Sequence, residues 1–420
     1  MRRCKWINLI GAVLLCGILS GCQKEEKEPV TITVIHAWGS TEADHVAMRN
    51  IYESFQNENP DIRIQLISMP TRDEMMRKVE DMIMVGNMPD IVTFSGMGRN
   101  KTYDFMVENN MALDLMPYLK EDAEFAASVS DVNKEYWTTE ENQLFTVADV
   151  LLLSGGYWYN EDIFRQAGIE EIPKTWDEFM EMCEMLSIWS RETNAGIKPH
   201  QTSAEGYLYF MDHMLADSNG HPQEVIRNHK LTVKKEDWEK AIRQLKNIYS
   251  YSAAENENYS YLDETKLFNE GKLAIYVNGV WGAPMISENI NARYALLPTE
   301  SSISMSCKSA CLGYVLGNSG NEEKKEASVR FLKYMLSEKV QTRILEETGQ
   351  IPANARIALD DFEKKKPRLY QAATLVLSAD NKIDVPDSMW SDFQKTKFTE
   401  NILKVLVGEM PEQDLKEVLK

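Results

Sequence analysis

Tryptophan residues stand next to predicted strands at widely separated points of the chain. They are Trp38, Trp158 and Trp281, at or just beyond strand ends, and Trp390, at the entrance to the last helical segment. In open α/β sheets, ligands bind beyond the carboxyl ends of the strands. A flat aromatic face suits a sugar ring, and each stacked ring contributes about 1 kcal/mol beyond its burial. The pattern therefore predicts a carbohydrate site lined by indole rings, with core packing as the alternative interpretation.

The sequence lacks the motifs of the common metal, cofactor and nucleophile sites. Its six histidines have neither HExxH nor HxxxH spacing, and no G-x-S-x-G elbow occurs. Gly96-Met97-Gly98 lacks the third glycine of a dinucleotide loop. We therefore expect neither a metal nor a cofactor. A glycoside hydrolase, with two carboxylates facing each other across a cleft, remains an alternative that these motifs do not exclude.

Strand-like and helix-like segments alternate along the body of the chain, which is typical of an α/β fold. The first strands are predicted over residues 30–36, 62–67 and 91–94. The apolar stretch 144–160 is long enough for more than one strand, and residues 322–347 have a helical pattern. These elements would position the tryptophans at the edges of parallel sheets.

Charge and length limit the possible partners and architectures. The chain has 420 residues, with 46 Lys and Arg against 65 Asp and Glu, a net charge of −19. Two domains of about 150–200 residues are expected from this length. An excess of acidic residues repels phosphate, so nucleic acid is not an expected partner.

The first residues have the pattern of an export signal. The basic start MRRCK precedes an apolar run over residues 7–19, too short to span a bilayer comfortably. The run ends in LSGC, which resembles the lipobox of bacterial lipoproteins. This resemblance implies removal of residues 1–21, lipid on Cys22, a tether over 22–29 and a location on the outer face of the cell membrane. An ordinary signal peptide or an uncleaved anchor is the alternative.

Few cysteines remain after the export signal, so a disulfide framework is not expected. Cys183 lies in a helical pattern and is predicted to be a buried apolar residue. Cys307 and Cys311 could pair, but so short a loop would add little stability. The stability of the body must therefore come from its hydrophobic cores.

Several segments, taken in order, resemble a known family over nearly all of the chain after the signal. They are TITVIHAWG, FQNENPDIRIQLI, VGNMPDIVTFSG, YWYNEDIFRQAGIEEIPKTWDEF, FNEGKLAIYVNGVWG, YALLPT and SVRFLKYMLSEKVQTRILEETGQIPAN. This ordered set is similar to the extracellular solute-binding lipoproteins of ABC sugar importers, the maltose-binding-protein-like class. The resemblance implies a periplasmic-binding-protein-like fold, with two α/β lobes joined by hinge strands and a ligand cleft between them.

The resemblance also implies where the chain passes between the lobes. The crossings are expected near residues 147–151, near Leu297 and near residues 341–351. The N-lobe would then be 30–148 plus 298–342, and the C-lobe 149–297 plus 343–420.

The binding residues implied by the matching segments come from both lobes. They are Trp38, Ser40, Glu42, Ser95, Gly96, Asp149, Trp158, Trp281, Tyr314 and Trp390. Two features depart from the family: Thr146-Val147 stands where relatives usually have a proline, and Ser154-Gly155-Gly156 interrupts a strand that is usually unbroken. A bulge or an altered hinge is expected there.

The resemblance implies a monomeric, non-catalytic carbohydrate receptor that delivers its ligand to an ABC permease. A receptor of the same kind coupled to a membrane sensor kinase is a further interpretation. In either case, lobe closure would bury the sugar between aromatic faces.

Overall fold

The computed structural model describes residues 28–94, 100–218, 233–252 and 259–415. Within these ranges the strands form separate sheets of five, four and four strands. Ser95 and Gly96, the export signal and Cys22 lie outside the described residues.

The first sheet has the strand order β2-β1-β3-β11-β4. Its strands are β1 (Val30–His36), β2 (Ile62–Ser68), β3 (Ile91–Phe94), β4 (Thr146–Ala148) and β11 (Gly313–Leu316). Strands β1, β2 and β3 are parallel, and β11 runs antiparallel between β3 and β4. The carboxyl ends of β1, β3 and β4 therefore lie at one edge of the sheet.

Helices cover this sheet. They are α1 (Ala43–Glu58), α2 (Arg72–Met84), α3 (Lys101–Glu108), α4 (Met116–Glu121), α5 (Ala123–Ser128), α6 (Asp131–Trp137), α12 (Glu322–Met335) and α13 (Glu338–Thr348). The pattern over 322–347 is two helices, because the Ser337 hydroxyl accepts the Val340 N–H and starts α13. Short helices also fill residues 116–137, where the sequence shows little periodicity.

A second sheet joins the two halves of the chain, in the order β12-β5-β10-β13. Its strands are β5 (Val150–Ser154), β10 (Met305–Ser309), β12 (Ile351–Pro352) and β13 (Asn381–Ile383). Asp149 alone separates β4 of the first sheet from β5 of the second. The chain re-enters the first sheet at Gly313.

The third sheet has the order β7-β8-β6-β9. Its strands are β6 (Gly156–Asn160), β7 (Lys198–His200), β8 (Leu273–Tyr276) and β9 (Ala292–Leu296). The α-helices of this half are α7 (Glu161–Gln166), α8 (Trp176–Glu192), α9 (Ala204–Ser218), α10 (Lys235–Tyr249), α11 (Tyr261–Asn269), α14 (Pro367–Ser378), α15 (Pro386–Met389), α16 (Asp392–Leu406) and α17 (Glu412–Leu415). Two 3-10 helices, Val280–Met285 and Leu359–Phe362, complete it.

The predicted interruption at Ser154-Gly155-Gly156 is the junction between β5 and β6. Gly155 has φ +89°, in the left-handed region that favours glycine, and separates the two strands. A Cβ at Gly156 would collide with the Ala295 carbonyl of β9. The two glycines let the chain leave the second sheet and pair closely in the third.

Separate hydrophobic cores stabilise the two halves. One lies under the first sheet around Ile35, Phe55 and Phe331, and another lies between α8, α9, α10 and α16. Cys183, Cys307 and Cys311 are buried thiols, and no disulfide joins Cys307 to Cys311. No described helix has the length and apolar character needed to cross a membrane.

Candidate functional site

Trp38 lies just beyond β1 at the carboxyl edge of the first sheet and is half-buried. Its backbone N–H donates to His36 Nδ1 at 3.0 Å, so the neutral His36 ring carries its proton on Nε2 and donates it to Ser68 Oγ at 3.0 Å. Burial, together with Arg49 and His45, lowers the pKa of His36 to about 4. A protonated His36 would point a second N–H at Trp38, so the neutral ring is the form that holds this loop.

Helix α1 supplies further support for the loop. Arg49 donates to the carbonyl of Trp38 and, at 2.9 Å, to that of Ser40. The Ser40 hydroxyl contacts His45 Nδ1 at 2.8 Å and the Glu42 carboxylate at 3.3 Å. The His45 ring meets Trp38 edge to face, with the centroids 5.1 Å apart. Trp38, Ser40 and Glu42 are therefore neighbours in one loop.

Glu42 and His45 also belong to a group of potential metal ligands. Their ligand atoms and that of Asp44 lie within 4.8 Å of one another at the exposed start of α1. Such groups are common on surfaces without an ion. We assign no metal to them.

Four side chains form a continuous hydrogen-bonded series from Trp38 into the interior. Trp38 Nε1 donates to the Tyr52 hydroxyl at 3.2 Å, which lies 2.9 Å from the Tyr314 hydroxyl. Tyr314 donates to Asp149 Oδ2 at 2.7 Å. Tyr52, Tyr314 and Asp149 are all buried. The structure thus connects Trp38, Asp149 and Tyr314, three residues that the sequence analysis takes from distant segments.

Burial sets the protonation of this series. It raises the pKa of Asp149 to about 6, although hydrogen bonds from Tyr314 and from the Asp149 and Val150 backbone act in the opposite direction. Burial also raises the pKa values of Tyr52 and Tyr314, and the Asp149 charge adds to both effects. The two phenols are therefore neutral, and Asp149 is the group that can change charge near neutral pH.

The backbone around Asp149 is fixed on both sides. Asn133 donates to the Ala148 carbonyl at 3.0 Å and accepts the Ala148 N–H at 2.7 Å. The Asp149 carbonyl accepts the Ala353 N–H at 2.9 Å. Asp149 is thus held where the chain passes from the first sheet to the second.

Trp281 occupies the 3-10 helix Val280–Met285 on the other half of the molecule and is half-buried. Its ring packs directly over Gly279, where a Cβ would collide with the indole. The Tyr209 ring of α9 lies nearby, with the centroids 6.4 Å apart. Trp158 Nε1 donates to the Gly279 carbonyl at 2.9 Å and so holds the backbone just before the helix that carries Trp281.

Trp158 and Trp390 have little exposed surface in this structure, at 0% and 4%. Trp158 packs edge to face on Tyr294, and Trp390 packs against Trp238 and Phe398. Trp390 Nε1 donates to Asp212 Oδ1 of α9 at 2.8 Å. These two rings support the residues around Trp281 and α9 and offer no open face themselves.

The structure brings several further residues to the two tryptophans. His36, His45, Arg49 and Tyr52 surround Trp38, and Tyr209 lies beside Trp281. In sequence, Tyr52 falls between Ile51 and Phe55 in a helical pattern and is indistinguishable from core. The residues around Trp38 could have been predicted only from the short distance in sequence between the end of β1 and the start of α1.

A cavity of about 560 Å³ lies elsewhere. Its lining includes Asp114, Gln143, Phe145 and Asn318, which precede β4 or follow β11. It is therefore at the amino edge of the first sheet, opposite Trp38 and Asp149.

Comparison with known families gives an extended match. The family model described as bacterial extracellular solute-binding protein matches residues 50–371. A putative ABC transporter periplasmic-binding protein, YcjN of Escherichia coli (strain K12), is 25% identical over 182 residues, which are 43% of this chain and 40% of that protein. A multiple sugar-binding protein of Streptococcus mutans serotype c is 22% identical over 303 residues, 69% of this chain and 67% of that protein. The match therefore spans less than half of the first relative.

Solved structures of the same shape cover nearly the whole chain. A Streptococcus pneumoniae solute-binding protein in complex with the blood group A-trisaccharide has a TM-score of 0.76 at 21% identity, covering 93% of this chain and 98% of that one. The GacH receptor of Streptomyces glaucescens has a TM-score of 0.72 at 17% identity, covering 94% and 97%. At these identities the likeness shows the fold, and the predicted periplasmic-binding-protein-like α/β fold is confirmed.

The family match and the fold lead to the same assignment. The matched residues 50–371 are well over half of the chain, and they include the strands and helices of both halves. The family resemblance drawn from the sequence is confirmed. The chain belongs to the bacterial extracellular solute-binding proteins, a family of non-catalytic solute-binding proteins.

Proposed function

We propose that this chain is a membrane-anchored extracellular receptor that captures a mono- or oligosaccharide and delivers it to an ABC importer permease. The sugar would lie in the cleft between the N-lobe and the C-lobe. Trp38 would stack on it from the first and Trp281 from the second. Closure of the lobes on the sugar would present one stabilised shape to the permease.

The observation that carries this proposal is the pair of half-buried tryptophans on separate halves of the molecule. Each ring is held by its surroundings: Trp38 by Tyr52 and His45, Trp281 by Gly279 and Tyr209. A rigid ring loses little entropy on binding, so its stacking energy is available to the ligand. Polar groups of Ser40 and Glu42 beside Trp38 suit sugar hydroxyls, which are costly to bury unpaired.

The relatives are consistent with a sugar ligand. One is named a multiple sugar-binding protein, and structural neighbours are described with the blood group A-trisaccharide, with raffinose or as a chitin oligosaccharide binding protein. These names suggest the first probes: raffinose, chitin oligosaccharides and the blood group A-trisaccharide.

A melting-temperature panel with these probes tests the proposal. We expect at least one sugar to raise the melting temperature of the wild type, since a ligand that binds only the folded state stabilises it. Trp38→Ala and Trp281→Ala should remove the increase. Trp189→Ala is the matched control, because Trp189 is a half-buried ring of α8 that packs on the core between α8, α9, α10 and α16. If peptides or metal ions stabilise the wild type and no sugar does, the sugar assignment fails.

Anchoring through Cys22 is tested separately. We expect the wild type to incorporate labelled fatty acid and Cys22→Ala to incorporate none, because the Cys22 thiol is the proposed site of the lipid. Membrane retention of a wild type that carries no label would indicate an uncleaved signal anchor instead. A pull-down from membranes that recovers a sensor kinase rather than permease subunits would favour the sensory interpretation.

A further inference from the structure

The hydrogen bonds between Trp38 and Asp149 can run in only one direction when Asp149 is ionised. An indole N–H only donates, so the Tyr52 oxygen accepts it. A carboxylate only accepts, so the Tyr314 O–H is directed to Asp149. The remaining contact, at 2.9 Å, must then be a donation from Tyr52 to Tyr314. Every donor in the series has an acceptor.

The two ends of the series differ in their exposure to solvent. Trp38 is half-buried at the carboxyl edge of the first sheet, whereas Asp149 is 4% exposed at the junction of β4 and β5. Tyr52 is completely buried and Tyr314 is 3% exposed, so water does not replace the contacts between them. A change in hydrogen bonding at Asp149 can therefore be passed to Trp38 through these two phenols.

We propose that Tyr314 and Tyr52 are positioning residues that make the orientation of the Trp38 indole depend on the charge of Asp149. This inference rests on the proposed function only in treating Trp38 as a sugar-stacking ring. A proton on Oδ2 of Asp149 would point at the Tyr314 oxygen and reverse the donation. This reversed donation disturbs the series that holds Trp38.

Other titratable groups around the series lie on β1 and α1. His36 of β1 contacts Tyr52 edge to face at 5.4 Å, and its pKa of about 4 separates its titration from that of Asp149, at about 6. On α1, His45 lies against the Trp38 ring and Arg49 binds the Trp38 carbonyl. From α12, the Phe331 ring packs on both Tyr52 and Tyr314 and brings no charge. His45 is the group that must be controlled.

The test follows Trp38 directly, without a sugar. Full-length protein labelled with 5-fluorotryptophan is titrated by ¹⁹F NMR between about pH 5 and about pH 8, and the Trp38 resonance is assigned with Trp38→Phe. In the wild type we expect this resonance to shift with a midpoint near pH 6. His45→Gln should keep the transition, and Asp149→Asn should abolish it.

Tyr52→Phe and Tyr314→Phe test whether the effect on Trp38 passes through the hydrogen-bonded series or is a direct electrostatic effect of Asp149. Both retain the carboxylate and interrupt the series at different points, so one that fails to fold leaves the other as the test. We expect each to abolish the Trp38 transition. A Trp38 transition that persists in these variants or in Asp149→Asn would overturn the proposal. A transition that is lost in His45→Gln but unchanged in Asp149→Asn would overturn it as well.

A second measurement tests whether the charge of Asp149 changes the affinity for a sugar. Calorimetry with raffinose and with a chitin oligosaccharide at about pH 5 and about pH 7.5 should show wild-type affinity weaker at the lower pH by about fivefold, the worth of one hydrogen bond. Tyr52→Phe should bind with the same affinity at both values. A bound sugar whose wild-type affinity does not change with pH would contradict the inference. If no sugar of the melting-temperature panel binds, that result counts against the proposed function, while the NMR titration still decides whether the series orients Trp38.

Discussion

At the scale of single residues, the candidate site depends on groups whose chemistry is set by burial. Asp149 is a carboxyl group in an apolar setting, and the partners that favour its charged form do not fully compensate for lost hydration. His36 is kept neutral beside Trp38 for the same reason. Both residues therefore make the stability of the protein depend on pH, in opposite directions.

Asp149 should reduce the stability of the folded state as the pH rises. Its folded pKa of about 6 lies above the reference value of 3.8. Its contribution is therefore fully present below pH 3.8 and is lost as the pH rises through about 6. The difference of about 2 pKa units corresponds to at most about 3 kcal/mol.

The measurement is urea unfolding of the wild type and Asp149→Asn from about pH 4.5 to about pH 7.5. The wild type should lose stability relative to the variant as the pH rises. His36 contributes equally to both proteins, so its opposite trend cancels in the difference. A difference that is flat or grows in favour of the wild type would show that Asp149 is ionised at all these pH values.

Different kinds of sequence evidence predicted the site residues, and these kinds of evidence do not specify a residue's position equally well. Trp38 follows a clear β-branched strand, so its place at a sheet edge could be predicted. Asp149 and Tyr314 came only from the family resemblance. Trp158 also occupies a predicted strand end, but its burial could not be predicted from that position. Tyr294 and Gly279, which enclose it, are more than a hundred residues away in sequence. Tyr52 was missed because a helical pattern does not distinguish a phenol that binds an indole from one that fills a core.

At the scale of elements, the junction between β5 and β6 determines how the third sheet is attached to the second. The strongly β-branched strands β1, β2 and β3 were predictable from their own sequences. Strands β10 and β11 were not, because the segment around SMSCKSACLGYVL is rich in small residues and gains its extended form by pairing with distant strands. Pairing of β10 with β5 places Cys307 opposite Ser154, next to the glycine junction.

Gly155→Ala should destabilise the protein strongly. The residue has φ +89°, and an added Cβ would lie 2.8 Å from the Cys307 nitrogen of β10, so both backbone strain and a collision are introduced. Gly86→Ala is the matched control, because Gly86 also has a positive φ (+71°) but open space around it. We expect a loss of about 1 kcal/mol for Gly86→Ala and a clearly larger loss for Gly155→Ala by chemical denaturation. Equal losses would mean that the β5–β6 junction tolerates rearrangement.

At the scale of the whole molecule, the half-buried Trp38 follows a strand of the first sheet and the half-buried Trp281 follows a strand of the third, and the second sheet joins the two halves. We propose that the two halves close on a sugar about the strands of this second sheet. Closure requires that the sugar bind the closed form more tightly than the open form. Small-angle scattering should show a smaller radius of gyration when raffinose, or another sugar that raises the melting temperature, is present at saturation. Trp281→Ala should show no such change, and an unchanged radius in the wild type with bound sugar would exclude closure.

The most direct test of the central claim follows both tryptophans at once during a sugar titration. In protein labelled with 5-fluorotryptophan, the account predicts that the Trp38 and Trp281 resonances shift together, with one common dissociation constant, while the Trp189 resonance stays in place. A sugar that binds tightly but moves only one of the two, or neither, would contradict the account.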